Sequence, residues 1–328
     1  MKEKLLSYLV CPSCNDSLEL SVERTEQQEI MAGALRCRAC AVSYPITRGI
    51  PRFAELAQVE SEKQATAANF GWQWQHFTED DARYAEQFLG WIAPVTPEFF
   101  RGKVVLEGGC GKGRHTQLAA RWGAQDVVGI DLSGAVETAF AATRSLPNAH
   151  VVQADIYHLP LARKFDYAFS VGVLHHLPDP RGGFMSLASK VKPGGDLSAW
   201  VYGAENNEWL TRWLNPVRER FTSRLDQRVL LQLSKLPAAC MYLATKLVYG
   251  PLHGSSVGEH LFYSDYFSAI APFGWREQHL IVFDHLVAPT AFYIPRAEFE
   301  EWWRELGARD VTISWHNKNS WRGRGVLP

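Results

Sequence analysis

From Arg101 onward the chain alternates short, uninterrupted apolar runs with helical stretches, and this rhythm limits the fold more than any other feature. Val104-Val105-Leu106, Val127-Val128-Gly129-Ile130, Val151-Val152 and Tyr167-Ala168-Phe169-Ser170-Val171 lack the polar alternation of a strand with one wet face. Such strands are covered on both sides, and the intervening helices supply the cover. The pattern predicts an α/β fold with a doubly wound, Rossmann-like parallel sheet.

The loop after the first of these strands reads Glu107-Gly108-Gly109-Cys110-Gly111-Lys112-Gly113. Neither phosphate motif fits it. Arg114 stands where the dinucleotide fingerprint needs its third glycine, and Lys112 is followed by Gly113 rather than Ser or Thr. What remains is an acid ending strand one (Glu107), glycines at 109, 111 and 113, and an acid ending strand two (Asp131). The glycines let backbone approach a ligand closely, the following helix N-terminus favours a carboxylate, and a carboxylate at the tip of strand two suits a ribose diol.

With these residues the segment resembles the class I S-adenosylmethionine-dependent methyltransferases over roughly residues 97–203 and 286–328. The resemblance implies a seven-stranded sheet with an antiparallel last hairpin. It implies that Glu107, Gly109, Gly111 and Gly113 hold the methionine half of the donor, Asp131 and Leu132 its ribose, and Asp155 and Ile156 its adenine. It sets the strand end at Val171 beside the sulfonium. A sulfonium methyl is already electrophilic, so alignment and exclusion of water matter most, and a base is needed only for an acceptor protonated at neutral pH. His175 and His176, just after strand four, are the candidate bases, with Tyr202, His285 and Tyr293 as weaker polar candidates.

Cys11-x2-Cys14 and Cys37-x2-Cys40, 22 residues apart, form two knuckles that together close a four-thiolate shell for Zn2+. About fifty residues with few large apolar side chains need such a staple. Followed by Tyr44-Pro45-Ile46 and Gly49-Ile50-Pro51, they resemble the zinc-ribbon family typified by the small activating subunit of tRNA and protein methyltransferases. Cys110 and Cys240, without partner spacing, read as small buried side chains.

These signals divide the chain into a zinc ribbon (1–53), a helical connector with an aromatic knot containing Trp72 and Trp74 (54–96), a methyltransferase core (97–203), a helical cap for acceptor recognition (204–285) and the returning core (286–328). Five arginines against Glu219 and Asp226 lie between Arg212 and Arg228. Such a run is ordinarily a solvated helix face; the sharper reading is recognition of an anionic acceptor or peripheral contact with a membrane surface. With 34 Lys and Arg against 35 Asp and Glu, and a ribbon of net +1, the chain offers little global attraction to a phosphate backbone. The expectation is a cytoplasmic methyltransferase of a small-molecule acceptor (a secondary metabolite, sugar or lipid-linked precursor), with nucleic acid disfavoured. The alternatives are an RNA or protein methyltransferase and a non-catalytic S-adenosylmethionine-binding module. Oligomeric state is left open.

Overall fold

The structure, a computed structural model, describes residues 1–54, 60–77, 81 and 83–328. Part of the expected connector, residues 55–59, 78–80 and 82, lies outside the described residues. Two sheets organise the chain. An antiparallel one runs β1 (Leu18–Glu26), β2 (Glu29–Cys37), β3 (Ser43–Thr47) and β4 (Ile50–Pro51). The seven-stranded one is built from β5 (Val104–Gly108), β6 (Asp126–Asp131), β7 (Ala149–Gln153), β8 (Phe165–Val171), β9 (Val191–Tyr202), β10 (Arg309–His316) and β11 (Ser320–Val326), in the order β10-β11-β9-β8-β5-β6-β7. Strands β7, β6, β5, β8 and β9 are parallel, and β11 and β10 close the far side as an antiparallel hairpin.

Side-chain alternation sorts the core into two layers. Val104 and Leu106 join one apolar cluster with Val128, Ile130 and Ala168, while Val105 faces the opposite cluster with Val127, Tyr167 and Phe169. The chain adds β6 and β7 outward from β5, then returns to start β8 on β5's other side. That reversal opens a crevice at the carboxyl ends of β5 and β8, where open α/β sheets bind ligands.

Helices α1 (Ser61–His76) and α2 (Tyr84–Ile92) precede the sheet, and α3 (Arg114–Arg121), α4 (Val136–Thr143) and α5 (Pro180–Ala188) connect its parallel strands. After β9 come α6 (Asn215–Arg220), α7 (Gln227–Leu233), α8 (Lys235–Ala244), the short α9 (Gly250–Leu252) and α10 (Ser256–Glu259), α11 (Ser264–Ile270) and α12 (Trp275–Val287). Helix α13 (Arg296–Glu305) returns to the sheet. Helix α12 runs two residues past 285, the expected end of the cap, and gives way to extended backbone at Ala288. Among the described residues no helix is long and apolar enough to cross a membrane.

The N-terminal sheet is docked on the β7 edge. Arg52 bridges Gln153 in parallel, and the Phe53 amide donates to the Gln153 carbonyl at 2.8 Å. Leu9 bridges Leu161 antiparallel, with Val10 N–H donating to Pro160 O at 3.0 Å and Ala162 N–H to Tyr8 O at 2.9 Å. Met1, Leu5, Tyr8 and Leu9 enter the same apolar cluster as Leu161, Phe165 and Val104. An unpaired edge row of N–H and C=O groups is thereby covered.

At the centre of this contact Asp126 is fully buried. It accepts hydrogen bonds from Tyr8 Oη at 2.7 Å and His150 Nε2 at 3.1 Å, and pairs with Lys4 Nζ at 2.6 Å. Burial pushes its pKa up, but the bonds from His150, Lys4 and Tyr8 prevail and hold it below the usual carboxylate range. Asp126→Ala leaves buried donors unsatisfied and should cost about 3–5 kcal/mol, against about 1 kcal/mol for Tyr8→Phe. Urea unfolding at constant m-value measures both; a loss under ~1 kcal/mol for Asp126→Ala refutes this account of the contact.

Candidate functional site

A cavity of about 800 Å³ opens at the carboxyl ends of β5, β6 and β8, closed above by α1 and the cap. Gly109, Gly111, Asp131, Leu132, Asp155, Ile156, Val171 and His176 line it; Glu107, Gly113 and His175 do not. Gly109 has φ +79°, and a Cβ there would sit 2.2 Å from Val173 Cγ2, so only glycine holds this turn. Gly111 lies against the indole of Trp74, where a Cβ would come within 3.0 Å of Nε1. Gly111 N–H donates to Asp131 Oδ2 at 2.8 Å, and Ser133 donates to Oδ1 through its amide (2.8 Å) and hydroxyl (2.6 Å). Burial nevertheless raises the Asp131 carboxyl above its ordinary value.

Glu107 is turned behind the loop. Its carboxylate accepts from Thr116 Oγ1 and lies 3.1 Å from His115 Nδ1, both in the first turn of α3, and burial pushes it up to about 8. It therefore braces β5 against α3 instead of facing the cavity. Gly113, the residue before α3, packs on Ala139 of α4. Asp155 is engaged by the connector: Lys63 Nζ of α1 pairs with Oδ2 at 3.0 Å, while the Tyr157 amide donates to Oδ1 at 3.0 Å.

The two histidines separate by role. His175 is fully buried, its ring stacked on Tyr202 at 3.8 Å and its Nδ1 accepting from the Tyr202 amide at 3.3 Å. Its carbonyl accepts from Phe292 N–H at 2.7 Å. Expected as a base, it instead ties the end of β8 to β9 and to the segment after the cap. His176 lines the cavity, packed on Phe70 at 4.9 Å, and its Nδ1 donates to Thr290 O at 2.7 Å. A carbonyl partner fixes the proton on Nδ1 and leaves Nε2 as an acceptor. Burial brings its pKa down to about 3.

Tyr202, His285 and Tyr293 are on the wall. Trp74 is too, whereas Trp72 stacks on His76 at 4.6 Å and packs on Phe283 in the cap. Wall residues without a sequence signal are Lys63, Asp284 and the cap tyrosines Tyr263 and Tyr266. Asp284 Oδ1 accepts from Gln73 of α1 at 2.7 Å, joining the cap to the helix above the cavity, and burial raises it to about 6. The glutamines of the connector were legible only as helix formers, not as partners of a cap 200 residues away.

The four cysteine sulfurs lie within 4.8 Å of one another. Cys11–Cys40, Cys14–Cys37 and Cys14–Cys40 separations of 3.6, 3.4 and 3.9 Å bracket the ~3.8 Å edge of a tetrahedron with ~2.3 Å Zn–S bonds. They are too long for a disulfide. Burial works against the Cys11 thiolate, but Tyr44 Oη at 3.3 Å and the Ser13 and Cys14 amides outweigh it and bring the thiol down to about 6. Of the two unpaired cysteines, Cys110 is buried as expected, but Cys240 is exposed on the outer face of α8.

Two family models match the chain: one described as a methyltransferase domain over residues 106–199, and one as Trm112p-like protein over residues 2–49. Among curated relatives, the tRNA U34 carboxymethyltransferase of Sodalis glossinidius is 36% identical over 116 residues, covering 34% of this chain and 34% of the relative. That of Pseudoalteromonas translucida is 37% identical over 114 residues, covering 34% and 35%. The chain thus spans about a third of the length of the curated relatives it matches. A solved DhpI–SAM–HEP complex aligns over 83% of this chain and 100% of its own at 14% identity, TM-score 0.50, which shows the shared fold. The tRNA-directed relatives overturn the expectation of a small-molecule acceptor with nucleic acid disfavoured. That expectation rested on net charge, which averages over the whole surface and does not describe any one face.

The buried imidazoles carry a pH signature. His176 at about 3 and His285 at about 4, both lowered by burial, take up protons at pH 4–6 only when the chain unfolds. Stability is therefore full above ~6.5 and falls as pH drops toward these values, by up to about 1.4 kcal/mol per pH unit for each group. His176→Asn, which retains a donor for Thr290, should flatten that slope between pH 6.5 and 4. An unchanged slope in urea titrations across this range counts against a buried neutral His176.

Proposed function

We propose that this chain, an S-adenosylmethionine-dependent methyltransferase domain joined to an N-terminal Trm112p-like domain, transfers methyl groups to tRNA. The observation that carries the reading is the pairing of a methyltransferase sheet with a Trm112p-like sheet docked on its edge strand, in a chain about a third of which is similar to curated tRNA U34 carboxymethyltransferases. A tRNA substrate implies a cytoplasmic setting.

The donor supplies a sulfonium methyl. The residues suit it in shape and charge: the Gly109 and Gly111 backbone would approach the methionyl end, and Asp131 has lone-pair directions left for ribose hydroxyls. Asp155, once released from Lys63, and Ile156 would take the adenine, with Val171 beside the sulfur. His176 Nε2 would accept the proton of an acceptor N–H or O–H as that atom forms its bond to the methyl carbon and the C–S electron pair returns to sulfur. Glu107 and His175 act through position, by holding the loop and the β8–β9 junction. Cys11, Cys14, Cys37 and Cys40 would bind Zn2+ in a closed structural site, since four thiolates leave no open coordination position.

The test is transfer of labelled methyl from S-adenosylmethionine into unfractionated tRNA, read by nucleoside mass analysis. Label should appear in one nucleoside, fall at least tenfold with Asp131→Ala through the lost ribose bonds, and fall ~10²–10⁴-fold with His176→Ala. Absence of label in tRNA with protein that binds S-adenosylmethionine overturns the acceptor. Metal analysis should find one Zn per chain, lost in Cys37→Ser; metal-free protein prepared without chelators overturns the zinc site.

A further inference from the structure

The cap carries apolar side chains on two opposite faces, and only one face has a use in the fold. Inward, Leu230, Ala238 and Thr245 are buried where α7, α8 and the following turn pack on α12. Outward, Leu236, Cys240 and Leu243 of α8 and Leu247 of the helical segment that continues it recur at steps of four, three and four residues, with Leu236 at 74% and Leu247 at 70% exposure. Trp213, Val217 and Phe221 recur at steps of four along α6 and the residues flanking it, with Trp213 at 67% and Phe221 at 66% exposure. A helix with apolar residues on every side belongs in an apolar medium on every side, and a recurring row of exposed large apolar side chains marks an interaction site.

Charge identifies the medium. Each of five outward apolar residues follows a basic one: Arg212-Trp213, Arg220-Phe221, Arg224-Leu225, Arg228-Val229 and Lys235-Leu236, with all five cations exposed. The Arg212 guanidinium lies over the Trp213 ring at 5.4 Å. The acids of the stretch are Glu219 and Asp226, and Asp226 is occupied in capping α7 through the Arg228 and Val229 amides. A two-fold contact with a second copy would set these arginines against themselves. A nucleic acid would match the charge but has no use for four exposed leucines (Leu233, Leu236, Leu243 and Leu247).

We propose that the exposed apolar and basic side chains of α6, α7 and α8 dock the cap on an anionic lipid surface, the leucines and aromatics entering the headgroup boundary while the arginines and Lys235 meet lipid phosphates. The inference rests on the cap alone and stands apart from the nature of the methyl acceptor.

Co-sedimentation of the full chain with vesicles tests it, using phosphatidylcholine alone and phosphatidylcholine mixed with phosphatidylglycerol. The expected result is binding to the mixed vesicles that weakens with salt. It should fall about tenfold or more in the Leu236→Asp/Leu247→Asp variant. It should lose its preference for anionic lipid in Arg220→Glu/Arg228→Glu, whose exposed positions leave the fold and its unfolding midpoint unchanged. Failure of wild-type chain to sediment with either vesicle overturns the proposal. So does a chain that ignores vesicles but forms dimers in light scattering, or retains tRNA on a filter, through these same residues.

Discussion

Asp126 stands at the first position of the second parallel strand with no water to share its charge, and groups from two parts of the chain neutralise it: Tyr8 and Lys4 from the N-terminal segment, His150 from the neighbouring strand. An isolated buried carboxylate is untenable, whereas a fully hydrogen-bonded one fixes its partners in place. The N-terminal sheet is thus registered on the larger sheet by a polar anchor, and the apolar cluster that surrounds it runs without a break from Met1 and Leu5 into Phe165 and Val104. The domain boundary visible in the sequence is not a boundary in the core.

The ligand crevice follows from topology, but its character comes from what lies over it. Helix α1 sits on the glycine loop and on the Ser133–Gly134 turn, and its Gln73 reaches Asp284 of the cap. Burial under this cover lowers the imidazoles of His176 and His285 and raises the carboxyls of Asp131 and Asp284, the direction expected where charged forms lose their hydration. The lowering keeps the His176 imidazole neutral while weakening it as a base, and the partner that fixes its tautomer, the Thr290 carbonyl, comes from the segment that follows the cap.

Much of this was legible from local pattern. The apolar runs gave the parallel strands because burial on both faces erases alternation, and the glycine loop could be read because Gly109 needs a positive φ and has Val173 against its α-carbon. The paired cysteines were legible because chelation fixes spacing. Side-chain direction was not. Glu107 has the right position for a ligand contact, yet Thr116 and His115 draw it behind the loop. His175 and His176 are adjacent and chemically identical, and only the stacking partner Tyr202 and the acceptor Thr290 distinguish them. Helix α12 carries no clear periodic signal because it is packed by α1, α6, α7 and α8 and so shows no single apolar face; its Gln278 is buried, bonded to Ile270, Phe273 and Thr245. The acceptor was misjudged because overall charge balance is blind to which elements share a face.

The edge contact at Arg52 and Gln153 lies within the same polypeptide that forms the catalytic sheet. Partners joined in one chain meet at an effective concentration set by their connection and not by how much protein is made. The β7 edge is therefore covered at any expression level and in fixed one-to-one ratio. Dilution does not titrate the two sheets apart.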